Sequence, residues 1–579
     1  MSVDEDRVRT LMASFKRRGV VYPAFEIYGG VAGLFDYGPV GARILRLVKE
    51  KWLDHWLRLG DIVEIDSPTI TPRIVLESSG HVGAFNDHAV QCKTCNIVCR
   101  ADHLLEDVIQ NPDSMSASEL DAAIADHSIP CSSCSKPVWD KATPMNLMFS
   151  TIVGPVGEGR QAFLRPETAQ GMFTNFSTIY RHFRQRLPFG AVQIGKGYRN
   201  EISPRQGIIR QREFNMAELE YFIDPHEPID LATLIQSSEK INLIPDSTNE
   251  ISSKSAMTIP NALEKTIIRH PIVAKFMLET YNLLVTLGID PDRIRFRQHE
   301  QNEMAHYASD CWDCEIHGSY GWVECVGIAH RGCYDLEAHS RFTSSTDLKA
   351  WREFENPVNI DENRWVPIQA SIGPIFRENA ADVIQSLQEL KVVPDTLPFE
   401  LSLSNGKTVT IENGMVELRR IQKTINGEWF TPHVIEPAFG IDRIVWHILD
   451  HSFNRTEKEG EIYDILRLTE DVAPYDAVVL PLFNKDGMSE MANDIYNQMC
   501  NTKGIIPTID AFGKSIGRRY ARADEIGIPW AITVDHQSIS DNTVTVRKRD
   551  NQEQIRLDVE ELISLLSNGN LKNSTKWNK

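Results

Sequence analysis

The sequence lacks a long apolar run. Nowhere do about 18 apolar residues stand together, so we expect no membrane-spanning helix. The first residues, MSVDEDRVRTLMASFKRRG, contain acids early and no apolar core, which argues against a signal peptide. Cysteine is scarce, with 10 in 579 residues, so a disulfide scaffold is not expected. These absences favour a reducing, cytoplasmic setting.

Positive charge is also in deficit. Lys and Arg number 61 against 80 Asp and Glu, which gives a formal net charge of -19. A protein that binds nucleic acids without discrimination would be basic over much of its surface. The composition excludes that class, although a polyanion could still meet local basic patches.

Two common phosphate-binding loops are missing. The GKS at 513–515 has Thr508 where a P-loop requires glycine. The glycine-rich stretch Gly29–Gly41 lacks the strand and helix context of a dinucleotide-binding turn, so we interpret its glycines as tight turns. A phosphate ligand must therefore be held by other groups.

The chain has the pattern of several domains, because 579 residues exceed a single core. Apolar side chains at helical spacing predict a helix over 40–58 and another after Arg443. Strand-like runs dominate 147–223 and 293–334, and 225–290 looks largely helical. Beyond a composition break near 473, alternation predicts a small α/β domain, with strands at 477–483, 528–535 and 542–548 and helices at 488–502, 515–526 and 558–567.

One segment concentrates arginine. YRNEISPRQGIIRQREFNMAE (Tyr198–Glu218) is strand-like at both ends and has a turn at Pro204 and Gly207. Guanidinium groups bind phosphate bidentately and stay charged at physiological pH. In an extended strand, Arg210 and Arg212 would share a face. An exposed strand with solvated arginines is the alternative. The arginines of this segment are Arg199, Arg205, Arg210 and Arg212.

Two further segments accompany it, GWVECVGIAHR (Gly321–Arg331) and VIEPAFGIDRIVWHI (Val434–Ile448). The second predicts a strand, a turn at Gly440 and a helix with Arg443 in its first turn. A helix start beside an arginine favours an anion.

These strings resemble a known family. YRNEISPRQGIIRQREF resembles motif 2 of the class II aminoacyl-tRNA synthetases, EPAFGIDRI resembles motif 3, and DIVEIDSPTI resembles motif 1 with Pro68 at its proline. More narrowly, the strings SGHVGAFND, CRADHLLED, FLRPETAQGMF, FRQHEQNEMAHYASDCWD and SIGRRYARADEIG are similar to glycyl-tRNA synthetase of the dimeric type shared by archaea, eukaryotes and some bacteria. The resemblance runs from about Tyr22 to Leu566.

The resemblance implies an α+β fold: a class II catalytic domain with an antiparallel sheet flanked by helices, and a C-terminal α/β anticodon-binding domain. We place the catalytic domain at 1–472, with a cysteine-pair insertion at about 86–145 and further insertions at about 225–290 and 340–430. The anticodon-binding domain takes 473–568, and 569–579 is a polar tail that we expect to be frayed. The family also implies a cytoplasmic homodimer that activates glycine with ATP and transfers it to the 3′ end of tRNA(Gly).

By the same resemblance, ATP lies bent on the sheet and is bound together with Mg²⁺. Arg199 meets the α-phosphate, Glu201 meets the adenine edge, and Phe214 stacks on adenine. Arg443 holds the γ-phosphate, and Glu324 is the expected Mg²⁺ ligand. Catalysis is assigned to Arg199, Glu201 and Arg443. The implied ATP-binding residues are Arg199, Asn200, Glu201, Ile209, Arg210, Gln211, Arg212, Glu213, Phe214, Glu324, Cys325, Gly440, Ile441, Asp442 and Arg443.

Glycine has no side chain to grip, so its pocket must hold the ammonium with carboxylates and fill the space of a Cβ. Exclusion by clash suffices for the smallest amino acid, so no editing domain is expected. The resemblance assigns the ammonium to Glu167 and Glu436; ordinary salt bridges are the alternative. Many family members have serine where Ala438 stands. The implied set is Arg100, Glu167, Phe214, Asn215, Met216, Ala217, Glu218, Glu436, Pro437, Ala438, Phe439 and Gly440.

Cysteine pairs occur in CKTC and CSSC, with 35 residues between them. This CxxC…CxxC pattern has the outline of a structural zinc ribbon, although the gap is longer than usual. A Zn²⁺ site and free thiols both remain open for Cys92, Cys95, Cys131 and Cys134. CWDC (Cys311 and Cys314) has no second pair at ribbon spacing, so we interpret it as packing.

The C-terminal domain contains a basic run, GKSIGRRYARAD, with Lys514, Arg518, Arg519 and Arg522 on about two helical turns. VRKRD (Arg547 to Arg549) would add a second patch. In the family this domain binds the anticodon, so we expect phosphate contacts here. A solvated helix face is the alternative.

Two alternative functions are disfavoured by the sequence. A synthetase for another amino acid, such as proline or threonine, is disfavoured by RPETAQG and NEMAHYASDCWD. A synthetase-like binding protein without catalysis, as in the accessory subunit of mitochondrial DNA polymerase, would have lost its phosphate ligands. Arg199, Glu201, Glu324 and Arg443 are all present.

Overall fold

A computed structural model describes residues 3–106, 108–109, 112, 115–155, 159–204, 206–228, 237–246, 255–300, 310–390, 394, 396–458 and 460–578. The chain forms two compact units, one of Met1–Leu348 with Pro432–Lys579 and one of Lys349–Thr431. Within the described ranges, no helix is long and apolar enough to cross a membrane. Arg205 and the string NEMAHYAS (302–309) lie outside the described residues.

A nine-stranded sheet forms the centre of the first unit. Its spatial order is β5-β4-β6-β7-β8-β9-β3-β2-β1, and every pair is antiparallel except β1 with β2 and β4 with β6. The antiparallel catalytic sheet expected from the sequence is therefore confirmed. The strands are β1 (Ile62–Glu64), β2 (Phe189–Tyr198), β3 (Glu213–Ile223), β4 (Lys240–Ile244), β5 (Ser255–Thr258), β6 (Ile294–Gln298), β7 (Asp310–Gly318), β8 (Gly321–Gly332) and β9 (His433–Gly440).

Helices flank this sheet. Helix α2 buries Trp52 and Trp56, as the spacing predicts; Trp52 meets the ring of Phe439 edge-on at 5.5 Å, and Trp56 meets Phe276 at 5.5 Å. The helices used in the description of the site are α1 (Glu5–Arg18), α2 (Pro39–Leu57), α3 (Ala169–Thr174), α4 (Pro271–Thr286), α5 (Tyr334–Thr343) and α6 (Ile441–Ser452). Other helices are Arg73–Ser78, His81–Ala84, Ala117–Asp126, Phe176–His182 and Ile259–Glu264.

Strand β3 shows how the two faces of the sheet differ. Ala217, Leu219 and Tyr221 belong to the apolar core that includes α2 and α4. Because side chains alternate along a strand, Glu218 and Glu220 face the opposite side. Helix α3 packs against β3 on that side. The same strand thus builds the core and presents carboxylates to the other face.

Residues 225–290 are less helical than the sequence suggested. Strands β4 and β5 lie there and extend the central sheet beside β6. In β4, the buried Ile241 and Leu243 alternate with polar neighbours, a two-residue period that favours a strand. Helix α4 is present as expected, but the described part of the segment also contains strands that the prediction did not include; 229–236 and 247–254 lie outside the described residues.

The glycine-rich turns are confirmed near the N-terminus. Gly29 has a φ of 91°, in the left-handed region that side chains disfavour. At Gly41 the chain passes so close to another segment that a Cβ would lie 1.9 Å from the carbonyl oxygen of Val20. These glycines shape the path of the chain between α1 and α2.

The C-terminal part of the first unit contains a five-stranded sheet in the order β11-β10-β12-β13-β14. Strands β11, β10 and β12 are parallel, and the remaining pairs are antiparallel. The predicted α/β alternation is confirmed, although the short β11 and β14 were missed. The elements are β10 (Ala477–Pro481), β11 (Pro507–Ile509), β12 (Trp530–Val534), β13 (Thr543–Lys548), β14 (Gln554–Asp558), α7 (Met488–Cys500), α8 (Ile516–Glu525), α9 (Val559–Ser567) and a short helix, His536–Asp541.

The polar tail is docked through residue 578, so the expectation of fraying was wrong. Leu571 is buried, and the indole N–H of Trp577 donates to its carbonyl oxygen at 2.8 Å. The Trp577 ring stacks on Trp530 at 5.6 Å. Two apolar side chains are enough to hold a polar segment on the domain, because they bury apolar surface against it.

Smaller sheets complete the first unit. One three-stranded sheet contains Ile70–Pro72, Arg160–Leu164 and Ser150–Val153. Another, in the expected cysteine-pair insertion, contains Val98–Arg100, Asn86–Gln91 and Thr143–Asn146. Two hairpins pair Val21–Pro23 with Phe35–Tyr37 and Phe453–Lys458 with Glu461–Leu466.

The second unit, Lys349–Thr431, overlaps the expected insertion at about 340–430. Two long antiparallel strands, Ala350–Pro367 and Val416–Phe430, form its stem. A hairpin of Phe399–Ser402 with Thr408–Ile411 and the helices Gln369–Phe376 and Ala380–Gln388 complete it. Its core contains Ile372, Val383, Leu387, Leu401 and Ile411.

Candidate active site

The arginine-rich segment joins β2 to β3 as a loop. The two strands pair from Phe189 opposite Phe222 to Tyr198 opposite Glu213, so Arg210 and Arg212 precede the ladder. The prediction that these two arginines share a strand face was therefore wrong. Arg212 donates to the carbonyl oxygens of Glu201 and Ala32, each at 2.9 Å, and holds the loop closed. Arg210 Nη1 instead contacts His103 Nε2 at 2.9 Å.

A cavity of about 170 Å³ opens beside this loop. The loop, the start of β3, the middle of β8 and the junction of β9 with α6 form its walls. It brings together most of the residues that the sequence assigned to ATP and part of those assigned to glycine. The lining residues are Arg199, Glu201, Ile208, Ile209, Arg210, Gln211, Phe214, Asn215, Met216, Glu218, Glu324, Cys325, Ala438, Phe439, Gly440, Asp442 and Arg443.

Several predicted site residues do not line this cavity. Ala217 joins the apolar core on the other face of the sheet, because it alternates with Glu218. Arg100 donates to Asp87 at 2.7 Å and to Asp102 at 2.5 Å, so its guanidinium already holds two carboxylates. The predicted residues outside the lining are Asn200, Arg212, Glu213, Ile441, Arg100, Glu167, Ala217, Glu436 and Pro437.

Arg199 lies between two aromatic rings. Its guanidinium carbon is 5.4 Å from the centroid of Phe85 and 5.4 Å from that of Phe214. Its Nε is buried without a hydrogen-bond partner among the described residues. Cation–π contacts hold the side chain in place without using its N–H donors. The guanidinium is therefore fixed at the cavity wall and can still donate to an anion.

Arg443, at the start of α6, bridges two walls of the cavity. It donates to the carbonyl oxygen of Glu324 at 2.6 Å and to that of Ile209 at 3.3 Å. The Glu324 carboxylate lies 3.6 Å from Arg443 Nη1 and is about half exposed. A cation and a solvated carboxylate thus stand together at the cavity mouth.

Asp442 forms the buried base of the loop. It accepts from Tyr37 at 2.6 Å, from Gln211 at 2.8 Å and from both the backbone and the side chain of Asn215. Burial nevertheless raises its pKa. Lys49 also donates to Asn215, at 2.7 Å. Asp442 therefore ties the motif 3 helix to the motif 2 loop. No sequence pattern indicated the contributions of Tyr37 and Lys49.

At the other end of the cavity stands Glu218. Its Oε2 accepts from the backbone N–H of Thr168 at 2.7 Å and from the Thr168 hydroxyl at 2.5 Å. Burial, with Glu436 and Glu167 nearby, raises the pKa of Glu218 to about 8. On the neighbouring strand, Ala438 lies directly opposite Glu218. Together with Glu436 and Glu167, Glu218 makes this end of the cavity acidic, and the methyl group of Ala438 lies beside it.

Glu436 and Glu167 lie next to this end. Arg331 Nη1 contacts both carboxylate oxygens of Glu436 at 2.9 Å, while its other nitrogens donate to Asp335. Glu167 accepts from Gln170 at 2.9 Å and lies 3.3 Å from His81. Burial opposes ionisation of Glu167, but His81 and Arg331 outweigh it and lower its pKa. Arg331 and His81 lie within segments that resemble the family, but the sequence analysis assigned no role to either residue.

The four paired cysteines converge in the insertion. Cys92 Sγ is 3.6 Å from Cys134 Sγ, and Cys95 Sγ is 3.6 Å from Cys131 Sγ. Backbone N–H groups of Cys95 and Thr94 lower the pKa of Cys92 to about 6, although burial opposes them. Four thiolates around a Zn²⁺ at about 2.3 Å would stand about 3.8 Å apart. The donor set and its spacing fit that ion.

The two cysteines of CWDC, Cys311 and Cys314, have different surroundings. Cys314 is buried in the apolar core, as the packing interpretation requires. Cys311 instead lies with His299 and Asp313, and their ligand atoms are within 4.8 Å of one another. His299 contacts Asp313 at 2.8 Å, and Arg297 contacts the same carboxylate at 3.0 Å. For Cys311 the packing interpretation was therefore incomplete.

Only part of the basic run of the C-terminal domain is exposed at the surface. Lys514 and Arg518 are exposed, but Arg519 is buried and donates to the carbonyl oxygens of Pro481, Asp510 and Leu482. Arg522 pairs with Asp510 at 2.6 Å. For Arg519, the prediction of a phosphate contact was wrong, because its donors hold the ends of β10 and β11.

The second predicted patch is also buried. Arg547 makes two hydrogen bonds to the buried Asp524, at 3.0 and 2.9 Å. Arg549 donates to the carbonyl oxygens of Gly527 and Leu468 at 2.9 and 2.8 Å. These two arginines join the C-terminal sheet to the rest of the unit and form no basic surface.

Exposed aromatic side chains lie at the carboxyl edge of the three parallel strands. Phe483 follows β10 and is 49% exposed, and Phe512 follows β11 and is 80% exposed. His536, after β12, packs 6.0 Å from Phe483. Lys514 and Arg518 are close by in the sequence. The edge combines flat rings with cations, a pattern that sequence periodicity does not reveal.

Comparison with known proteins agrees with this architecture. Residues 156–243 match the family model "tRNA synthetase class II core domain (G, H, P, S and T)", and 476–569 match "Anticodon binding domain". The nine-stranded, mainly antiparallel sheet, the cavity and the C-terminal α/β domain are those of a class II aminoacyl-tRNA synthetase.

Three archaeal relatives narrow the assignment. The glycine–tRNA ligase of Methanothrix thermoacetophila is 41% identical over 97% of this chain and 96% of that protein. The ligase of Methanocaldococcus jannaschii is 42% identical over 97% and 99%, and that of Archaeoglobus fulgidus is 41% identical over 96% and 96%. The chain belongs to the glycine–tRNA ligase family.

Proposed function

We propose that this chain activates glycine with ATP to glycyl-adenylate and pyrophosphate, then transfers glycine to the 3′ end of tRNA(Gly). One observation carries the proposal. The same cavity is lined by two arginines, Arg199 and Arg443, and by the acid Glu218, which has the carboxyl groups of Glu436 and Glu167 beside it. Those charges complement a triphosphate and an ammonium group, the charged groups of the two substrates.

The chemistry needs alignment and charge stabilisation. The glycine carboxylate attacks the α-phosphorus, the bond to the bridging oxygen breaks, and pyrophosphate leaves. Arg199 is assigned to the α-phosphate, where negative charge grows, and Arg443 to the γ-phosphate. Phe214 stacks on adenine and Glu201 meets its edge. Because the substrates react once aligned, no side-chain nucleophile is required. A ribose hydroxyl of tRNA then attacks the glycyl carbonyl, and AMP leaves.

Glu324 is the proposed ligand of Mg²⁺. It is a solvated carboxylate at the cavity mouth, beside the arginine assigned to the γ-phosphate. Mg²⁺ usually takes one or two carboxylates together with substrate phosphates and water, so the donor fits. When bound, the ion neutralises phosphate charge.

Glycine is selected by charge and volume. Glu218, with Glu167 and Glu436 beside it, attracts the ammonium, and the Ala438 methyl lies opposite Glu218. A larger substrate would need room for a Cβ between these groups.

ATP–pyrophosphate exchange with each of the twenty amino acids tests the proposal. We expect exchange with glycine alone. Exchange with another amino acid, or none with glycine, would contradict it.

The four paired cysteines are proposed to hold one structural Zn²⁺. Zinc binding would add folding energy to the insertion, because the four ligands come together only in the folded chain. Metal analysis should find one zinc per chain. Cys131→Ser with Cys134→Ser should abolish it and make 86–145 protease-sensitive, whereas Cys500→Ser, at an exposed cysteine elsewhere, should not. A fully active, zinc-free protein would leave the free-thiol alternative standing.

The carboxyl edge of the C-terminal sheet is the proposed anticodon surface. Unpaired bases stack on exposed rings, and phosphates contact lysine and arginine. Phe512→Ala should weaken glycylation of tRNA by about 1–3 kcal/mol and leave glycine-dependent exchange unchanged. An equal fall in both activities would argue for a structural role.

A homodimer in the cytoplasm is proposed as well. Large apolar side chains are exposed around the motif 1 sheet: Ile70, Ile74, Ile152 and Val153. Such patches commonly mark protein interfaces. Ile152→Glu should lower the mass measured by light scattering to that of one chain, whereas Ile462→Glu, on a separate hairpin, should not. A monomeric wild-type protein would refute the dimer.

A further inference from the structure

Glu220 is a buried acid that the reaction outlined above does not use. It lies on β3, is 0% exposed, and has no hydrogen-bond partner for either carboxylate oxygen among the described residues. Leaving such a group unpaired is costly. The surrounding carboxylates have hydrogen-bond donors: Thr168 donates to Glu218, and Arg331 donates to Glu436 and Asp335.

Strand register places Glu220 beneath the glycine end of the cavity. Glu218 is opposite Ala438 and Tyr221 is opposite Ile435, so Glu220 stands opposite Glu436. Directly opposed residues of antiparallel strands have Cβ atoms about 4.5–5.5 Å apart. Glu218 lies two residues away on the same face, which is farther along the strand. Glu436 is therefore the nearest carboxylate that Glu220 can reach.

The surrounding charges decide the protonation state of Glu220. Burial raises its pKa well above the usual range; the neighbouring acids Glu436, Glu218 and Asp335 act in the same direction, and Arg331 opposes them. These groups face it from β9, β3, α5 and β8. Burial among these acids favours the neutral carboxylic acid, which has one O–H to donate.

We propose that Glu220 is a positioning residue for the substrate ammonium: it donates a hydrogen bond to Glu436 and holds that carboxylate toward the cavity. The inference rests on the proposed function. A second cation beside Glu436 would cancel its charge and repel the ammonium. A neutral donor fixes the carboxylate and leaves its charge available to the substrate.

Three substitutions test this role in glycine-dependent ATP–pyrophosphate exchange. Glu220→Gln keeps the length and a neutral donor, so the KM for glycine should stay within about twofold. Glu220→Asp shortens the side chain by one methylene and so moves the carboxyl group away from Glu436. Glu220→Leu removes the hydrogen-bond donor. Both should raise the KM for glycine about tenfold or more, the loss expected for a hydrogen bond to a charged group. The kcat and the KM for ATP should change little.

The ranking of glutamine and aspartate separates the alternatives. If Glu220 acted through a negative charge, aspartate would preserve the KM and glutamine would not. If it only filled space, leucine would behave as wild type. Either result overturns the proposal. Thr280→Val, which replaces another buried and unpartnered polar group in α4, is the matched control and should leave the KM unchanged.

Failure of the proposed function would look different. Wild-type protein that activates another amino acid, or none, refutes glycine activation and this inference with it. Normal wild-type exchange with an unexpected ranking refutes only the role of Glu220. If the leucine variant proves unstable in thermal unfolding, the glutamine and aspartate pair still decides.

Discussion

Two regions of the molecule concentrate arginine, and they use it differently. Around the cavity, the Arg199 guanidinium packs against aromatic rings and makes no hydrogen bond to any described residue. In the C-terminal domain, Arg519, Arg547 and Arg549 are buried, and their donors hold carbonyl oxygens or the Asp524 carboxylate. A guanidinium has five N–H donors, so it can bind a ligand or join elements of the fold with the same groups. The hydrogen-bond partners of an arginine, rather than the number of arginines nearby in the sequence, decide which of the two roles it has.

The largest expected effect is structural. Arg547→Ala leaves Asp524 buried without its main cation, so we expect the free energy of unfolding to fall by about 3–5 kcal/mol. Denaturation of the purified protein measures it. Lys548→Ala, at the partly exposed neighbour, should cost no more than about 0.5 kcal/mol. If Arg547→Ala kept its stability but lost glycylation of tRNA, the contrast between the two regions would fail.

Arg199→Ala should produce the opposite pattern. Removing a donor used in the transition state should cost about 3 kcal/mol in activation, roughly 10²-fold in exchange rate. The unfolding midpoint should barely move, because the side chain ties no elements together through hydrogen bonds in the described structure. Arg46→Ala, on an exposed face of α2, is the control. Undiminished exchange would show that the arginine assigned to the α-phosphate is misplaced.

The acids of the cavity give a pH-dependent contrast. The pKa of Glu218 is raised from about 4.5 to about 8, so the folded protein holds a proton that the unfolded chain releases between those values. This contribution to stability is complete below about pH 4.5 and is lost as pH rises through about 8. Without glycine, the unfolding midpoint of Glu218→Gln should therefore fall less over that window than that of wild type. Parallel curves for the two proteins would contradict the raised pKa.

A smaller effect is expected at the exposed part of the basic run. Arg518→Glu should weaken glycylation of tRNA and reduce the slope of log affinity against log salt by about one, as for one lost phosphate contact. Stability should be unchanged, in contrast to Arg547→Ala. Lys503→Glu, in the loop before β11 and at the amino edge of the sheet, is the matched control. A salt slope identical to wild type would remove Arg518 from the RNA surface.

The smallest effect is expected at Ala438. If backbone and carboxylates alone shape the glycine pocket, Ala438→Ser should leave the KM for glycine nearly unchanged. A marked gain in affinity would mean that a hydroxyl contact common in the family is missing here. Collapse of activity would mean that the pocket beside Glu218 is packed more tightly than its register suggests.

Local patterns predicted much of the fold. Helix α2, strands β2 and β3, helix α6 and the C-terminal α/β alternation follow from periods of 3.6 and 2 in the apolar residues. The prediction for 225–290 missed strands β4 and β5, because these strands are short and lie at the sheet edge. The prediction of a frayed tail was wrong because the contact that holds the tail, Trp577 with Trp530, joins residues distant in the sequence.

For the site, the sequence by itself determined the chemical inventory. Motif strings supplied Arg199, Glu218, Glu324 and Arg443, and the cysteine spacing supplied a possible metal set. The cysteine set follows from short-range spacing, whereas the other four residues follow from the resemblance of their strings to family motifs.

Only the tertiary structure decided which of these groups face a ligand. It buried Arg519, turned Arg212 onto backbone carbonyls, and placed Glu220 opposite Glu436. It also brought Tyr37 to Asp442 from the far end of the chain. The physical reason is that burial and hydrogen-bond partners arise from strand register and packing between distant segments, and these set both the charge of an acid and the availability of an arginine.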